Sequence, residues 1–183
     1  MNNAFTLTKP HEKYFPAIQS YKQDFLDAGD ELGHGDCALQ HFDDLSAWLS
    51  YNRALENHEN TESSWTEFDQ YLYVRQGDGC VVGMINYRRA DNDAQLADYA
   101  GNMGYAVRPS ERRKGYAKAM LKACLALCFE RGIDDIIIAC DKSNDASKKL
   151  IMACGGVFER FSVEDTDAER YIVIHQSAKA MNA

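Results

Sequence analysis

The sequence predicts an α+β domain in three layers, with a mixed, mostly antiparallel central sheet of six or seven strands flanked by about four helices. Short apolar runs such as Tyr71-Leu72-Tyr73-Val74 and Val81-Val82-Gly83-Met84-Ile85 lie between turn residues, as strands do. Ala117, Met120, Leu121, Cys124, Leu125 and Cys128 recur at helical spacing. Between residues 100 and 140 a strand, a basic glycine-bearing loop, a long helix and another strand follow one another. With 183 residues, 45% of them hydrophobic, the chain is long enough for one well-buried core, and residues 1–183 read as a single domain.

Along the chain, Ala4 to Thr8 reads as a short strand ended by Pro10, and His11 to Ala28 as a helix with Tyr14, Phe15, Ile18, Tyr21, Phe25 and Leu26 on its apolar side. Leu45, Trp48, Leu49 and Leu55 mark a second helix, with Asp43 or Asp44 near its N-cap. Gly77-Asp78-Gly79 joins the two strands named above as a hairpin turn. Gly101 to Val107 is the next strand, a helix starts near Lys114 to Tyr116, and Gly132 closes it. Ile136 to Ala139 is a strand, Asn144 opens a helix running to about Cys154, and Phe158 to Val163 pairs with Arg170 to Ile174 across Asp165-Thr166-Asp167.

The net charge of -8 is uneven. Residues 1–99 hold 7 Lys/Arg and 17 Asp/Glu, whereas residues 100–183 hold 13 and 11. A near-neutral half suits a polyphosphate ligand and an acidic half attracts a cationic amine, although a solvated acidic surface explains the same numbers. Nucleic acid is not the expected partner, because phosphate neutralisation needs a larger basic stripe. No apolar run approaches the roughly 20 residues that span a bilayer, and no signal-peptide pattern opens the chain, so no membrane partner and a cytoplasmic location are expected. The six cysteines lack CxxC spacing and read as reduced thiols. His34, Asp36, Cys37 and His41 match no zinc spacing, and no metal is expected.

The most informative stretch is Val107-Arg108-Pro109-Ser110-Glu111-Arg112-Arg113-Lys114-Gly115-Tyr116-Ala117, which joins a strand end to a helix start. Unpaired backbone N–H groups and the positive end of the helix dipole suit a pyrophosphate there. A Walker-type loop is absent. The Arg-x-x-Gly-x-Ala spacing, with its flanking strands and helices, resembles the pyrophosphate loop of the GNAT superfamily of N-acyltransferases. The run Arg108 to Ala117 is similar to one in predicted bacterial acetyltransferases of that family. The likeness is close over residues 100–160 and looser on the flanks.

The resemblance implies a GNAT-like fold in which the strands before the loop and after the helix splay apart around acetyl-CoA as cosubstrate, with no metal. It implies direct transfer of acetyl to a primary amine, on a small molecule or a protein, in a ternary complex. Tyr105, Ala106 and Val107 would align the pantetheine arm, with the Val107 N–H polarising the thioester. Arg112, Arg113, Lys114, Gly115, Tyr116 and Ala117 would hold the pyrophosphate, and Asn144 and Ser147 would contact the cofactor arm. Asn144 reads equally as a helix cap. Three ionisable positions of the family's members are here Gly101, Ala139 and Ile151. The remaining candidates for catalysis are Tyr105, which would hydrogen-bond the leaving thiolate, and Asp98, which would accept a proton through water. Positioning alone contributes on the order of 7–11 kcal/mol to such reactions. A CoA-binding regulatory module without activity, and an interaction protein whose loop binds another anion, stay open. Arg88 at a strand end reads either as a clamp for an acceptor carboxylate or backbone, or as a surface charge. Members of the family often dimerise, and a homodimer stays open as well.

Overall fold

The computed structural model describes residues 4–59, 63–165 and 167–174. Strand β1 (Phe5–Thr8) leads through a 3-10 turn into helix α1 (Phe15–Asp27), and helix α2 (Leu45–Glu56) follows. Strands β2 (Glu67–Arg75) and β3 (Cys80–Arg89), helix α3 (Ala94–Ala100) and strand β4 (Met103–Val107) come next. Helix α4 (Tyr116–Glu130), strand β5 (Asp135–Asp141), helix α5 (Asp145–Ala153) and strands β6 (Val157–Phe161) and β7 (Ala168–Ile174) complete the described residues. The predicted turn residue Thr166 lies outside the described residues.

The seven strands form two hydrogen-bonded sheets, β1-β2-β3-β4 and β5-β7-β6, antiparallel in every pair. They meet at Asn102, whose main-chain N–H donates to the Ile137 carbonyl (2.6 Å) and whose side-chain oxygen accepts from the Ile137 N–H (2.8 Å). One residue therefore bonds β5 through both its backbone and its side chain, at the end of β4 away from the basic loop.

The alternation of β2 and β3 sends side chains to two cores. Leu72, Val74, Val81 and Met84 pack with Ile18, Tyr21 and Phe25 of α1 and Trp48 of α2. Val82, Ile85, Tyr87 and Met103 pack on the other face with Met120, Leu121 and Cys124 of α4 and Ile136 and Ile138 of β5. These are the three predicted layers. Helix starts follow local chemistry: Asp44 caps α2 by accepting from the Ser46 N–H (2.9 Å), and Pro16 supplies a preset φ in the first turn of α1.

Several strand ends shift by a few residues, the strand expected from Gly101 beginning at Met103 and the one expected over Phe158 to Val163 spanning Val157–Phe161, and two departures are larger. The predicted helix from His11 starts as a 3-10 turn over Glu12–Tyr14, and the α-helix begins only at Phe15. Helix α3 occupies residues where no helix was expected, capped by the Asp93 carboxylate on the Leu96 N–H (2.9 Å). Seven residues, Ala-Gln-Leu-Ala-Asp-Tyr-Ala, are too few to display an apolar period. The helices thus number five among the described residues. All six cysteines are free thiols, and no helix among the described residues is long and apolar enough to cross a membrane.

Candidate functional site

Strand β4 forms the floor of the site. In an antiparallel ladder alternate residues direct their N–H and C=O groups to one neighbour. The Arg108 N–H donates to the Val82 carbonyl (3.0 Å) and the Asn102 carbonyl accepts from the Arg88 N–H (2.8 Å), so the even-numbered residues face β3. The main-chain groups of Met103, Tyr105 and Val107 therefore face the side of β5. Beyond Asn102 the β4 and β5 strands share no ladder, which leaves the Tyr105 and Val107 N–H groups directed into the opening between the sheets.

The basic loop closes one end of this opening. Gly115 caps α4 with φ +85°, a left-handed conformation that side chains resist, and a Cβ there would meet nothing within 4 Å. Among the described residues no side chain caps the helix, which leaves its first-turn N–H groups without a cap beside the loop. This geometry fits a pyrophosphate. Arg113 also sits at positive φ, +62°, and is exposed. The other two cations are committed within the protein. Arg112 donates from Nε to the Val107 carbonyl (3.0 Å), pairs with Asp30 and lies over the Phe25 ring. Lys114 pairs with Glu111 (2.9 Å). Arg112 thus braces the end of β4 against the loop, a contact its spacing in the sequence did not reveal.

Tyr105 and Ser147 come together from sequence-distant elements: the Tyr105 hydroxyl and Ser147 Oγ are 2.7 Å apart. Burial pushes the tyrosine pKa up to about 12, against the pull of the Ser147 hydrogen bond, so the phenol keeps its proton at neutral pH. Asn144 caps α5, accepting from the Ser147 N–H (3.0 Å), so the capping reading describes its side-chain oxygen. That cap orients the turn carrying Ser147. Ile151, one turn further on, is fully buried.

Asp98 sits in a setting unlike the one expected. Its carboxylate accepts from Ser162 Oγ, from the Val163 N–H (2.7 Å) and the Glu164 N–H (3.2 Å), from Arg160 (2.6 Å) and from Arg170 (3.2 Å). Burial opposes the charge, but these donors outweigh it and hold the carboxyl well below the usual range. A carboxylate so stabilised is a poor proton acceptor, and it fastens α3 to the β6–β7 hairpin instead. Gly101 also has a steric reason. A Cβ there would lie 2.9 Å from the Ala139 nitrogen and the Ile137 oxygen, so the backbone of β5 occupies the place a side chain would need. Among the described residues no three His, Cys, Asp or Glu side chains converge as a metal site.

A cavity of about 170 Å³ opens on the other face of β4, lined by Gly35, Cys37, Tyr51, Trp65, Phe68 and Arg88 among others. Its roof is the loop of residues 33–38. Gly35, at φ +77°, lies so close to β4 that a Cβ would come within 2.5 Å of the Tyr105 Cα. Cys37 and Ala38 are also left-handed, at φ 53° and 59°. The loop is held by Trp48 Nε1, which donates to the Asp36 carbonyl (3.0 Å), and by the buried Asp36 carboxylate, which accepts from the Gly33 N–H (2.7 Å). Burial raises the Asp36 pKa. Arg88, one of two readings at the sequence level, faces this cavity and stacks on Trp65. The loop and Trp65 were not legible as site residues, because nothing in their spacing ties them to β4.

The chain matches the acetyltransferase (GNAT) family over residues 39–155. A mycothiol acetyltransferase of Thermobispora bispora is 29% identical over 138 residues, covering 66% of this chain and 45% of that protein, so the chain spans less than half the length of that relative. Ribosomal-protein-S5-alanine acetyltransferase from Vibrio fischeri shares the fold with a TM-score of 0.65 at 16% identity, over 94% of this chain and 93% of that one. Spermidine N-acetyltransferase from Vibrio cholerae, solved with CoA and spermine, does so with a TM-score of 0.63 at 17% identity, over 94% and 96%. With a match across well over half of its 183 residues, and the loop, gap and helix start in the order described, this chain belongs to the GNAT acetyltransferase family.

Proposed function

We propose that the protein is an acetyl-CoA-dependent N-acetyltransferase of the cytoplasm, acting on a primary amine by direct attack in a ternary complex. The observation that carries this reading is the opening beside β4, with unpaired main-chain N–H groups along one wall and the uncapped start of α4 at its end. The relatives' acetyltransferase names agree with it. The donor supplies an activated acetyl group: a carbon–nitrogen bond forms to the acceptor, the carbon–sulfur bond breaks, and the proton the amine loses balances the one the sulfur gains.

The chain's residues divide the remaining work. The N–H groups of Tyr105 and Val107 stabilise negative charge on the carbonyl oxygen, and Ala106 continues the strand between them. Gly115, Tyr116 and Ala117 present main-chain donors to the pyrophosphate, Arg113 adds positive charge beside Lys114, which Glu111 holds in the loop, and Arg112 fixes the loop to β4. Tyr105 holds at its hydroxyl the proton the leaving sulfur takes, oriented by Ser147, whose helix start Asn144 caps. Asp98 anchors α3, and we assign it no proton transfer.

Tyr105→Phe removes that proton while leaving the ring in its packing. The expected result is a fall in kcat of about 10²-fold with KM for acetyl-CoA little changed. A kcat within twofold of the native value would take Tyr105 out of the chemistry.

The reading as a whole is tested by thermal unfolding with acetyl-CoA, CoA and ATP, followed by thiol release across amines. At 100 times Kd, bound ligand stabilises by roughly 2.7 kcal/mol, several degrees in Tm for a chain of this size. Acetyl-CoA and CoA are expected to raise Tm and ATP is not; no rise with either would overturn the assignment. A rise without thiol release from any amine would favour an inactive CoA-binding module, the reading that Gly101, Ala139 and Ile151 support.

A further inference from the structure

From the cavity on the far face of β4 we infer that the acceptor is an amine carrying a carboxylate on the adjacent carbon, an α-amino acid in form, and that Arg88 binds that carboxylate. This rests on the transferase reading and names the class of its substrate.

Arg88 is the decisive residue. Its guanidinium lines the cavity, stacks over Trp65 with 5.1 Å from carbon to ring centroid, and forms no ion pair among the described residues. Its hydrogen bonds go to neutral oxygens: NH1 donates to Asn86 Oδ1 (3.0 Å) and NH2 to the Ala100 carbonyl (2.8 Å). Nε is buried and has no hydrogen-bond partner among the described residues. Burial lowers its pKa to about 10, which still leaves it cationic at neutral pH. A half-buried cation without a counter-ion is costly, and the chain carries 28 carboxylates that could have supplied one. Elsewhere the arginines do find them, as Arg75 does with Asp78 and Glu111, and Arg108 with Asp24. A planar fork of donors beside an open cavity matches a carboxylate.

Position narrows the class further. A Cβ on Gly104 would lie 2.8 Å from Arg88 NH1, so the guanidinium rests against the backbone of β4 one residue before Tyr105. The Tyr105 N–H faces the opening where the acetyl group is expected. A carboxylate on Arg88 therefore brings within reach of that opening an amino group on its neighbouring carbon. The remaining walls, Tyr51, Leu55, Trp65 and Phe68, favour an uncharged side chain. At about 170 Å³ the cavity is smaller than the roughly 300–1,000 Å³ of sites for drug-sized ligands, and suits a single amino acid. A polyamine would place a cation against Arg88, which disfavours it.

The test measures binding apart from turnover. Calorimetry is run on the CoA-loaded protein with the common free amino acids, the corresponding α-carboxamides and spermidine. At least one amino acid with an apolar side chain is expected to bind, its carboxamide at least tenfold more weakly, and spermidine not at all. Arg88→Gln is expected to weaken that amino acid on the order of 10²-fold, with Arg88→Lys between the two and CoA affinity unchanged in both. Unchanged CoA affinity shows that the variants fold. Equal binding of acid and carboxamide, binding insensitive to Arg88→Gln, or no binding by any amino acid would overturn the inference. Loss of CoA binding by the native protein would instead strike the transferase reading.

Discussion

Asp98→Ala is expected to destabilise the protein by about 3 kcal/mol, because removing one member of a buried charge network leaves the other uncompensated. Asp98 and Arg170 are each 8% exposed, and the same carboxylate also receives Ser162, Arg160 and two main-chain N–H groups. Each of these donors lies on or beside the β6–β7 hairpin, so the substitution frees the hairpin from α3. For a chain of this length the loss corresponds to roughly 6–12 °C in Tm. The pH dependence has a fixed sign. The folded pKa lies below the unfolded value of about 3.9, so the contribution is full above that pH and declines as pH falls toward the folded pKa. The Tm difference between native protein and Asp98→Asn should therefore be constant near neutrality and narrow progressively below about pH 4. Equal Tm values at pH 7 would remove Asp98 from its anchoring role.

Gly115→Trp is expected to cut turnover by about 10³-fold or more, whereas Gly115→Ala should cost far less. Both variants place a side chain at φ +85° and incur the same left-handed strain, roughly 1–2 kcal/mol. They differ in what fills the space beside the α4 start, where a Cβ on Gly115 would meet nothing within 4 Å. Alanine adds a methyl group there, while an indole covers the first-turn N–H groups. The pair of variants thus separates backbone strain from obstruction, with calorimetric affinity for CoA and steady-state rate as readouts. If Trp and Ala variants turned over within tenfold of each other, the pyrophosphate would not be held at this helix start.

The legible parts of the fold were those whose signals are local. The β2–β3 hairpin, α4 and α5 emerged from turn glycines, helical period and an Asn cap, each confined to a few neighbouring residues. The turn from Arg108 to Gly115, as a link between a strand end and a helix start, was legible for the same reason. What escaped was long-range. Asp98 meets its partners at separations of 62 to 72 residues, and Arg112 meets Asp30 at 82, distances over which a single sequence shows no pattern. Helix α3 is too short to display one. Ser147 and Tyr105 were named individually, but their contact across 42 residues depends on how α5 docks beside β4. The acceptor cavity was hidden most deeply, since its roof is a loop whose glycines mark loops of every kind and whose His34, Asp36 and Cys37 match no zinc spacing.

The orientation of β4 has a consequence for how such a chain changes over generations. The groups assigned to the donor on β4 belong to the main chain, whose N–H directions are set by the ladder with β3 and survive most exchanges of side chain. The groups facing the cavity belong to side chains of β3 and of separate segments, where a single codon alters chemistry. One half of the reaction is thereby inherited with the backbone, while the other is free to drift. Solved structures at 14–18% identity share this fold.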